Sequence, residues 1–196
     1  MAREVIAQLH SLAIPGARFE VDFKRLDHPS ADGADAMEFL FSANPGMPLR
    51  PLSKVASGGE ISRLMLALRT VLARHEKGNS SQRIPILVFD EIDVGIGGVT
   101  AEAVGEKMQE LAQTFQVFCI THLPQIARRG DFHLHVKKDA DAKSTFVQVM
   151  ALEGEARVQE LARMMGHEST ANVQHARQLL KDAADAKLKL DKKRKK

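Results

Sequence analysis

Two adjacent acids, Asp90 and Glu91, follow directly after the apolar run Ile86–Phe89. A short apolar run that ends in acids is typical of a buried parallel strand whose C-terminal end meets a ligand. Adjacent carboxylates repel each other, so crowding them is unfavourable unless a bound cation or a reacting group offsets the repulsion. The pair suits an Asp that holds Mg²⁺ and a Glu that orients or deprotonates a water molecule. The alternative is a strand end that simply meets solvent.

A second candidate site is the segment Ser57-Gly58-Gly59-Glu60, where a helix is predicted to begin. Paired glycines let a ligand approach the backbone closely, and the free N–H groups of a first helical turn attract an anion. The helix is predicted from one apolar face, formed by Ile61, Leu64, Met65, Leu68, Val71 and Leu72. The alternative is a plain loop that enters a helix.

Two further candidates lie close to these segments. His122 follows a second apolar run, Val117–Ile120, and Asp93 opens the glycine-rich turn 93–98. Because ligands of open α/β sheets lie at the carboxyl ends of the strands, we expect His122 and Asp90-Glu91 to face one crevice. A structural histidine and an ordinary turn are the alternatives.

The elements that position these residues alternate between strands and helices in the middle of the chain, which predicts an α/β fold. The other predicted elements are a helix over 1–12 stopped at Pro15-Gly16, strands at Arg18–Arg25, Ala36–Ala43, Phe132–Lys137 and Thr145–Ala151, a loop at 76–83, a hairpin turn around 139–143, and helices near 158–165 and 170–190.

Composition and charge limit the function classes. The apolar fraction of 44% and the charged fraction of 27% are those of an ordinary soluble protein, and neither a membrane span nor a secretory signal is evident. The single cysteine, Cys119, lies in an apolar run and is expected to be a buried thiol, in a chain without disulfides that suits a reducing cytoplasm.

The net charge of +3 is unevenly distributed. Residues 187–196 contain seven Lys or Arg and one Asp, so the rest of the chain carries a net charge of −3. The folded body is therefore not a basic nucleic-acid-binding domain, and any attraction to DNA is local. The basic tail is predicted to be disordered.

Taken together, in this order and spacing, the four elements resemble the ATP-binding-cassette superfamily. Ser57–Glu60 is similar to its signature motif, Ile86–Glu91 to its Walker B strand with the catalytic glutamate, 93–96 to its D-loop and His122 to its switch histidine. Within the superfamily, longer stretches resemble the bacterial SMC-like DNA-repair ATPases, from about Val5 to about Leu180. These stretches are 51–63, 89–96 and 121–125, together with Gly33-Ala34-Asp35, Asn44-Pro45-Gly46 and 159–164.

This resemblance implies the C-terminal lobe of an ATPase head, with parallel core strands, flanking helices and an added antiparallel hairpin. Residues 1–14 would end a coiled-coil helix, 15–186 would form the lobe, and 187–196 would be the tail. No Gly-x-x-x-x-Gly-Lys-Ser/Thr occurs in the sequence, so the phosphate-binding P-loop is expected in the N-terminal lobe of the same protein. The chain alone is accordingly expected to be inactive.

The resemblance also implies roles for the site residues, with ATP and Mg²⁺ as cofactors. Asp90 would hold Mg²⁺, Glu91 would position the attacking water, and His122 would contact the γ-phosphate. Ser57, Gly58, Gly59 and Glu60 would reach ATP bound to a second head, so that two heads dimerise around ATP. Asp93 is assigned to the D-loop, although many relatives carry an aspartate where this sequence has Gly97.

The implied biological setting is double-strand break repair and recombination within the SOS response. DNA ends or single strands would be the partners, in the cytoplasm at the nucleoid, with no membrane involved. Three alternatives are a DNA- or protein-binding module without ATPase activity, a metal hydrolase that uses Asp90, Glu91, Asp93 and His122, and a transporter cassette. A transporter cassette usually ends its signature in Gln, where this chain has Glu60.

Overall fold

The computed structural model describes residues 1–31, 33–55, 57–75, 86–140, 145–167 and 169–194. The chain divides into two units, residues 1–121 and residues 122–196. The loop predicted at 76–83 and most of the hairpin turn predicted around 139–143 lie outside the described residues. None of the described helices combines the length and the apolar character needed to cross a membrane.

The first unit combines an antiparallel sheet, a parallel strand pair and three helices. Strands β1, β2 and β3 are antiparallel neighbours in that order, and β4 and β5 pair in parallel. The elements are α1 (Ala2–Ser11), β1 (Arg18–Ser30), β2 (Gly33–Ser42), β3 (Arg50–Pro51), a 3₁₀ turn (Leu52–Lys54), α2 (Gly58–His75), β4 (Ile86–Phe89), α3 (Gly98–Leu111) and β5 (Gln116–Cys119). The parallel pair and the mixed α/β class confirm the predicted fold class.

The β1–β2 hairpin is longer than the sequence predicts. The sequence predicts two shorter strands separated by the polar stretch 28–35, whereas the observed pairing continues into this stretch. Its inner end is anchored by the cross-strand pair Phe19 and Phe41, both of which are buried. Pairing then continues outward to Ser30 and Gly33. Backbone hydrogen bonds extend the ladder past the last apolar residue, so polarity alone does not mark where these strands end.

The core of the first unit lies around α2. Leu64, Leu68 and Val71 of the predicted apolar face are buried, whereas Met65, which was assigned to the same face, is exposed. Leu66 and Ala67 are also fully buried, so helix α2 is covered over most of its circumference. Further core side chains come from α1, α3 and the segment after β4, among them Val5, Leu9, Ile92, Val104, Met108 and Leu111.

One face of the parallel pair is bare, although the apolar run 86–89 predicts burial on both faces. Ile86 and Val88 are each 64% exposed. Phe118 on β5 and Ile120, the residue after β5, are also exposed. The opposite face is covered, with Phe89 buried and Leu87 half-buried. Both strands are therefore apolar on two faces, and the described residues cover only one of these faces.

The second unit is a small helical core with a hairpin. Its elements are α4 (Pro124–Ala127), β6 (His133–Ala140), β7 (Thr145–Leu152), α5 (Gly154–Met164) and α6 (Thr170–Arg194), with β6 and β7 antiparallel. Val158, Leu161 and Ala162 of α5 pack with Ala176 of α6 in its core.

Helix α6 runs through most of the basic segment that was predicted to be disordered. It continues to Arg194, and only residues 195 and 196 of that segment lie outside the described residues. The Lys187 ammonium pairs with Asp131. Residues 187–194 contain no Gly or Pro, and Lys, Leu and Arg are good helix formers, so nothing in this stretch ends the helix.

Candidate functional site

The start of α2 forms one side of the candidate site. The Ser57 hydroxyl accepts a hydrogen bond from the backbone N–H of Glu60 at 3.4 Å, and the Ser57 carbonyl accepts one from Ile61 at 3.1 Å. A serine whose side chain binds the third residue of a helix is a standard N-terminal cap. The helix therefore begins where the sequence predicts, with Gly58 exposed and Gly59 buried.

The two acids form the other side. Asp90 and Glu91 follow β4 and are exposed, and the Asp90 carboxylate accepts a hydrogen bond from the Glu91 N–H at 2.9 Å. The φ angle of Glu91 is +56°, in the left-handed region. Residues with a Cβ adopt this conformation at a cost of about 1–2 kcal/mol, and such outliers cluster at functional sites.

The two sides touch each other. A Cβ built on Gly58 would overlap the Oε2 atom of Glu91, so the Glu91 carboxylate lies directly against the start of α2. A Cβ on Gly59 would lie 3.1 Å from the Glu91 carbonyl oxygen and 3.3 Å from the Cβ of Val94. At position 59 the close backbone favours glycine, whereas a side chain at position 58 would have to displace the Glu91 carboxylate. The predicted anion-binding segment and the predicted acids therefore form one site.

Two side chains of α2 that the sequence analysis did not single out hold this arrangement. The Ser62 hydroxyl donates to the Asp90 carbonyl oxygen at 2.8 Å. The Arg63 guanidinium donates from Nη1 to the carbonyl oxygens of Ile92, at 3.3 Å, and Val94, at 3.0 Å. Ser62 follows Gly58 by four positions, and Arg63 follows Gly59 by four positions. Residues with this spacing share one face of a helix, so the spacing could have indicated that both side chains lie on the glycine face.

Asp93 is buried within the turn. It is 4% exposed, and its Oδ2 atom accepts a hydrogen bond from the Thr121 hydroxyl at 2.6 Å. This bond joins the turn after β4 to the end of β5. This hydrogen bond joins two segments of the same unit. The D-loop role of Asp93 stays a prediction.

The Cys119 thiol is near enough to Asp93 and Asp90 for their charges to affect its pKa. Burial raises the pKa of Cys119 to about 12, and the negative charges of Asp93 and Asp90 add to the effect. The side chain is half-buried at the end of β5. A thiol with so high a pKa is a poor nucleophile, in agreement with the packing role that the sequence predicts.

His122 is the first residue of the second unit, directly after Thr121, and its side chain is exposed. Its position relative to Asp90 and Glu91 stays a prediction. The other site residues, Ser57 to Glu60, Asp90, Glu91 and Asp93, all lie in the first unit.

The acids fit a magnesium ion that is held together with a nucleotide. Mg²⁺ in such sites is bound by one or two carboxylates, with phosphates and water as the remaining ligands. An exposed Asp90 at a strand end can supply one such oxygen. Among the described residues, no group of three His, Cys, Asp or Glu side chains could hold a metal ion by itself.

This fold is that of an ATPase head of the SMC class. The solved Smc head domain with a coiled coil and joint from Pyrococcus yayanosii matches 84% of this chain with a TM-score of 0.54, at 18% sequence identity and over 29% of that chain. At this level of identity the match shows the fold, which agrees with the predicted head lobe.

The chain belongs to the RecN family of DNA repair proteins. DNA repair protein RecN of Treponema pallidum is 46% identical over 184 residues, which cover 90% of this chain and 31% of that protein. RecN of Deinococcus radiodurans is 45% identical over 177 residues, with 90% and 30% covered. These matches confirm the predicted resemblance to bacterial SMC-like DNA-repair proteins. No family model matches the chain. The chain spans about a third of the length of these relatives.

Proposed function

We propose that this chain is the C-terminal part of an ATP-hydrolysing head, with its catalytic acids and its signature motif joined at one edge of the first unit. The observation that carries this proposal is the contact between Glu91 and Gly58. Two segments with different predicted tasks meet there, an anion-binding helix start and a pair of acids at a strand end. The RecN names of the relatives support an ATPase that acts in DNA repair.

The head is completed by a P-loop lobe of the same protein. The bare face of β4–β5 supports this, because Ile86, Val88, Phe118 and Ile120 form an apolar surface next to the acids. Exposed apolar faces of this kind are covered by a partner in the complete assembly. In the second unit, Leu134 and Val136 of β6 and Val149 of β7 are likewise exposed on one face of the hairpin.

Within one head, the acids and His122 serve hydrolysis. Asp90 holds Mg²⁺, whose charge neutralises the phosphates. Glu91 orients the attacking water and accepts its proton, a role that general bases fill with an effect of about 10²–10⁴-fold. His122 contacts the γ-phosphate.

Between two heads, Ser57, Gly58, Gly59 and Glu60 bind the γ-phosphate of ATP held by the other copy. The first turn of a helix such as α2 has N–H groups without intrahelical partners and a positive dipole, and both favour an anion. ATP thereby joins two heads into a homodimer, and hydrolysis releases them. Asp93 stabilises the D-loop turn by accepting a hydrogen bond from the Thr121 hydroxyl.

The reaction serves double-strand break repair and recombination as part of the SOS response. The protein acts on DNA ends or single strands at the nucleoid in the cytoplasm. The basic C-terminal part of α6 is a local site of attraction for DNA phosphates, because the rest of the chain is net negative.

Hydrolysis assays on two proteins test the proposal. The full-length protein should hydrolyse ATP with Mg²⁺, and Glu91→Gln should lower its kcat by about 10²–10⁴-fold. The chain of 196 residues alone should show no turnover, because it lacks the P-loop. Turnover by this chain that disappears in its Glu91→Gln variant would contradict the proposal.

A further inference from the structure

Arg63 is a buried cation that donates hydrogen bonds to the turn next to the candidate site. Its side chain is 7% exposed, and burial lowers its pKa, an effect that the carboxylate of Glu60 partly offsets. A buried guanidinium is stabilised when its N–H groups meet acceptors. Here two of those acceptors are backbone carbonyls of the turn after the acids, those of Ile92 and Val94.

The spacing along α2 explains why these contacts concentrate on one side. Ser62 follows Gly58 by one helical turn, and Arg63 follows Gly59 in the same way, so the two side chains continue the face that the glycines begin. The glycines let the turn approach the helix, and Ser62 and Arg63 then bind its carbonyl oxygens. Close approach and hydrogen bonding therefore act within the same segment, 90–94.

The carbonyls held in this way lie on both sides of Glu91. Ser62 binds the carbonyl of Asp90, and Arg63 binds the carbonyl of Ile92. Glu91 lies between these two fixed points in a left-handed conformation. A residue in an unfavourable conformation persists only where its surroundings impose it.

We infer that Arg63, assisted by Ser62, is a positioning residue that fixes Asp90–Val94 to the start of α2, so that each head moves its acids and its signature motif as one body. The inference rests on the proposed function, in which these two elements serve different ATP molecules. The acids act on the ATP of their own head, and the start of α2 binds the ATP of the other head. Loss of Arg63 therefore impairs both sites of a dimer, whereas loss of Glu91 leaves phosphate binding by α2 intact.

The test uses the full-length protein and three readouts: ATP binding by the separate heads, ATP-dependent association by light scattering, and kcat. Arg63→Ala should leave ATP binding unchanged and weaken both association and kcat, each on the order of tenfold, as expected for hydrogen bonds from a charged donor. Arg63→Lys should recover part of the association and part of kcat, because the lysine ammonium can still donate a hydrogen bond to a carbonyl. Ser62→Ala should weaken association and lower kcat by a smaller factor than Arg63→Ala. If Arg63→Ala does not fold, Ser62→Ala provides the test.

Thr70→Ala is the matched control. Thr70 is buried on α2, and its hydroxyl bonds the carbonyl of Leu66, so the variant destabilises the same helix without touching the turn. Thr70→Ala should leave association and kcat unchanged at temperatures where it is folded. If it reproduces the Arg63→Ala effects, or if Arg63→Ala associates with ATP as wild type does, the inference is wrong. Glu91→Gln and Ser57→Arg, assayed in parallel, report on the proposed function independently of Arg63.

Discussion

The carboxylate of Glu91 lies against Gly58, so close that any side chain at position 58 would meet its Oε2 atom. The two residues belong to elements that are separated by most of α2 and all of β4. Their contact joins the end of a parallel strand to the start of a helix within one unit. The site is therefore defined by tertiary packing as much as by either motif.

The two glycines should respond differently to alanine. At Gly58 the obstructing atom is the end of a flexible Glu91 side chain, which can rotate away, so Gly58→Ala should leave the free energy of unfolding nearly unchanged. At Gly59 the obstructing atoms are the Glu91 carbonyl oxygen and the Cβ of Val94, which are fixed by the backbone. Gly59→Ala should destabilise the chain by about 1–3 kcal/mol, as overpacking does.

Chemical denaturation of both variants checks this ordering. Equal losses of stability at 58 and 59 would mean that the Glu91 carboxylate cannot move, contrary to the expectation.

Cys119 should react slowly with thiol reagents in the folded chain. Its pKa of about 12 leaves very little thiolate at pH 8, so alkylation by iodoacetamide should be on the order of a thousandfold slower than after unfolding. Because the sequence contains one cysteine, mass spectrometry reports this site alone. Native and denatured rates within tenfold of each other would show that the thiol is not held in buried, acidic surroundings.

His133 should make the chain less stable in mild acid. Burial lowers its pKa below the ordinary value, and the nearby Arg157 charge lowers it further, against a smaller opposing effect of Glu160. The unfolded chain therefore binds the proton more readily than the folded chain does. The stabilisation from neutral His133 is complete above about pH 6.5 and is lost as the pH falls through the lowered folded pKa.

Thermal melting of wild type and His133→Asn between pH 7.5 and pH 5.5 isolates this contribution. The variant cannot titrate at position 133, so its Tm should fall less over this interval than the Tm of wild type. The same fall in both proteins would mean that other groups account for the pH dependence.

Local signals predicted the helix start and the strand end correctly. Ser57 with two glycines before an apolar helical face places the start of α2, and an apolar run before Asp90 places the end of β4. These features depend on neighbours in sequence, such as capping, periodicity and chain breakers. The resemblance to known motifs then connected the two segments.

The sequence could not predict features that depend on packing between distant segments. The left-handed conformation of Glu91 has no local marker, because glycine is absent from that position. The roles of Ser62 and Arg63 depend on which carbonyls lie within reach once the glycines permit close approach. The bare face of β4–β5 was missed for a related reason, since apolar residues on both faces predict burial whatever covers them.

The central claim is that ATP joins two heads through Ser57–Gly59 of one and the acids of the other. Light scattering of the full-length protein with and without ATP tests it most directly. Glu91→Gln keeps the side-chain shape but not its basicity, so ATP should produce long-lived dimers with slow hydrolysis. Ser57→Arg places a bulky cation at the start of α2, so ATP should bind without producing dimers. Monomeric Glu91→Gln in the presence of ATP, or normal dimers of Ser57→Arg, would contradict the account.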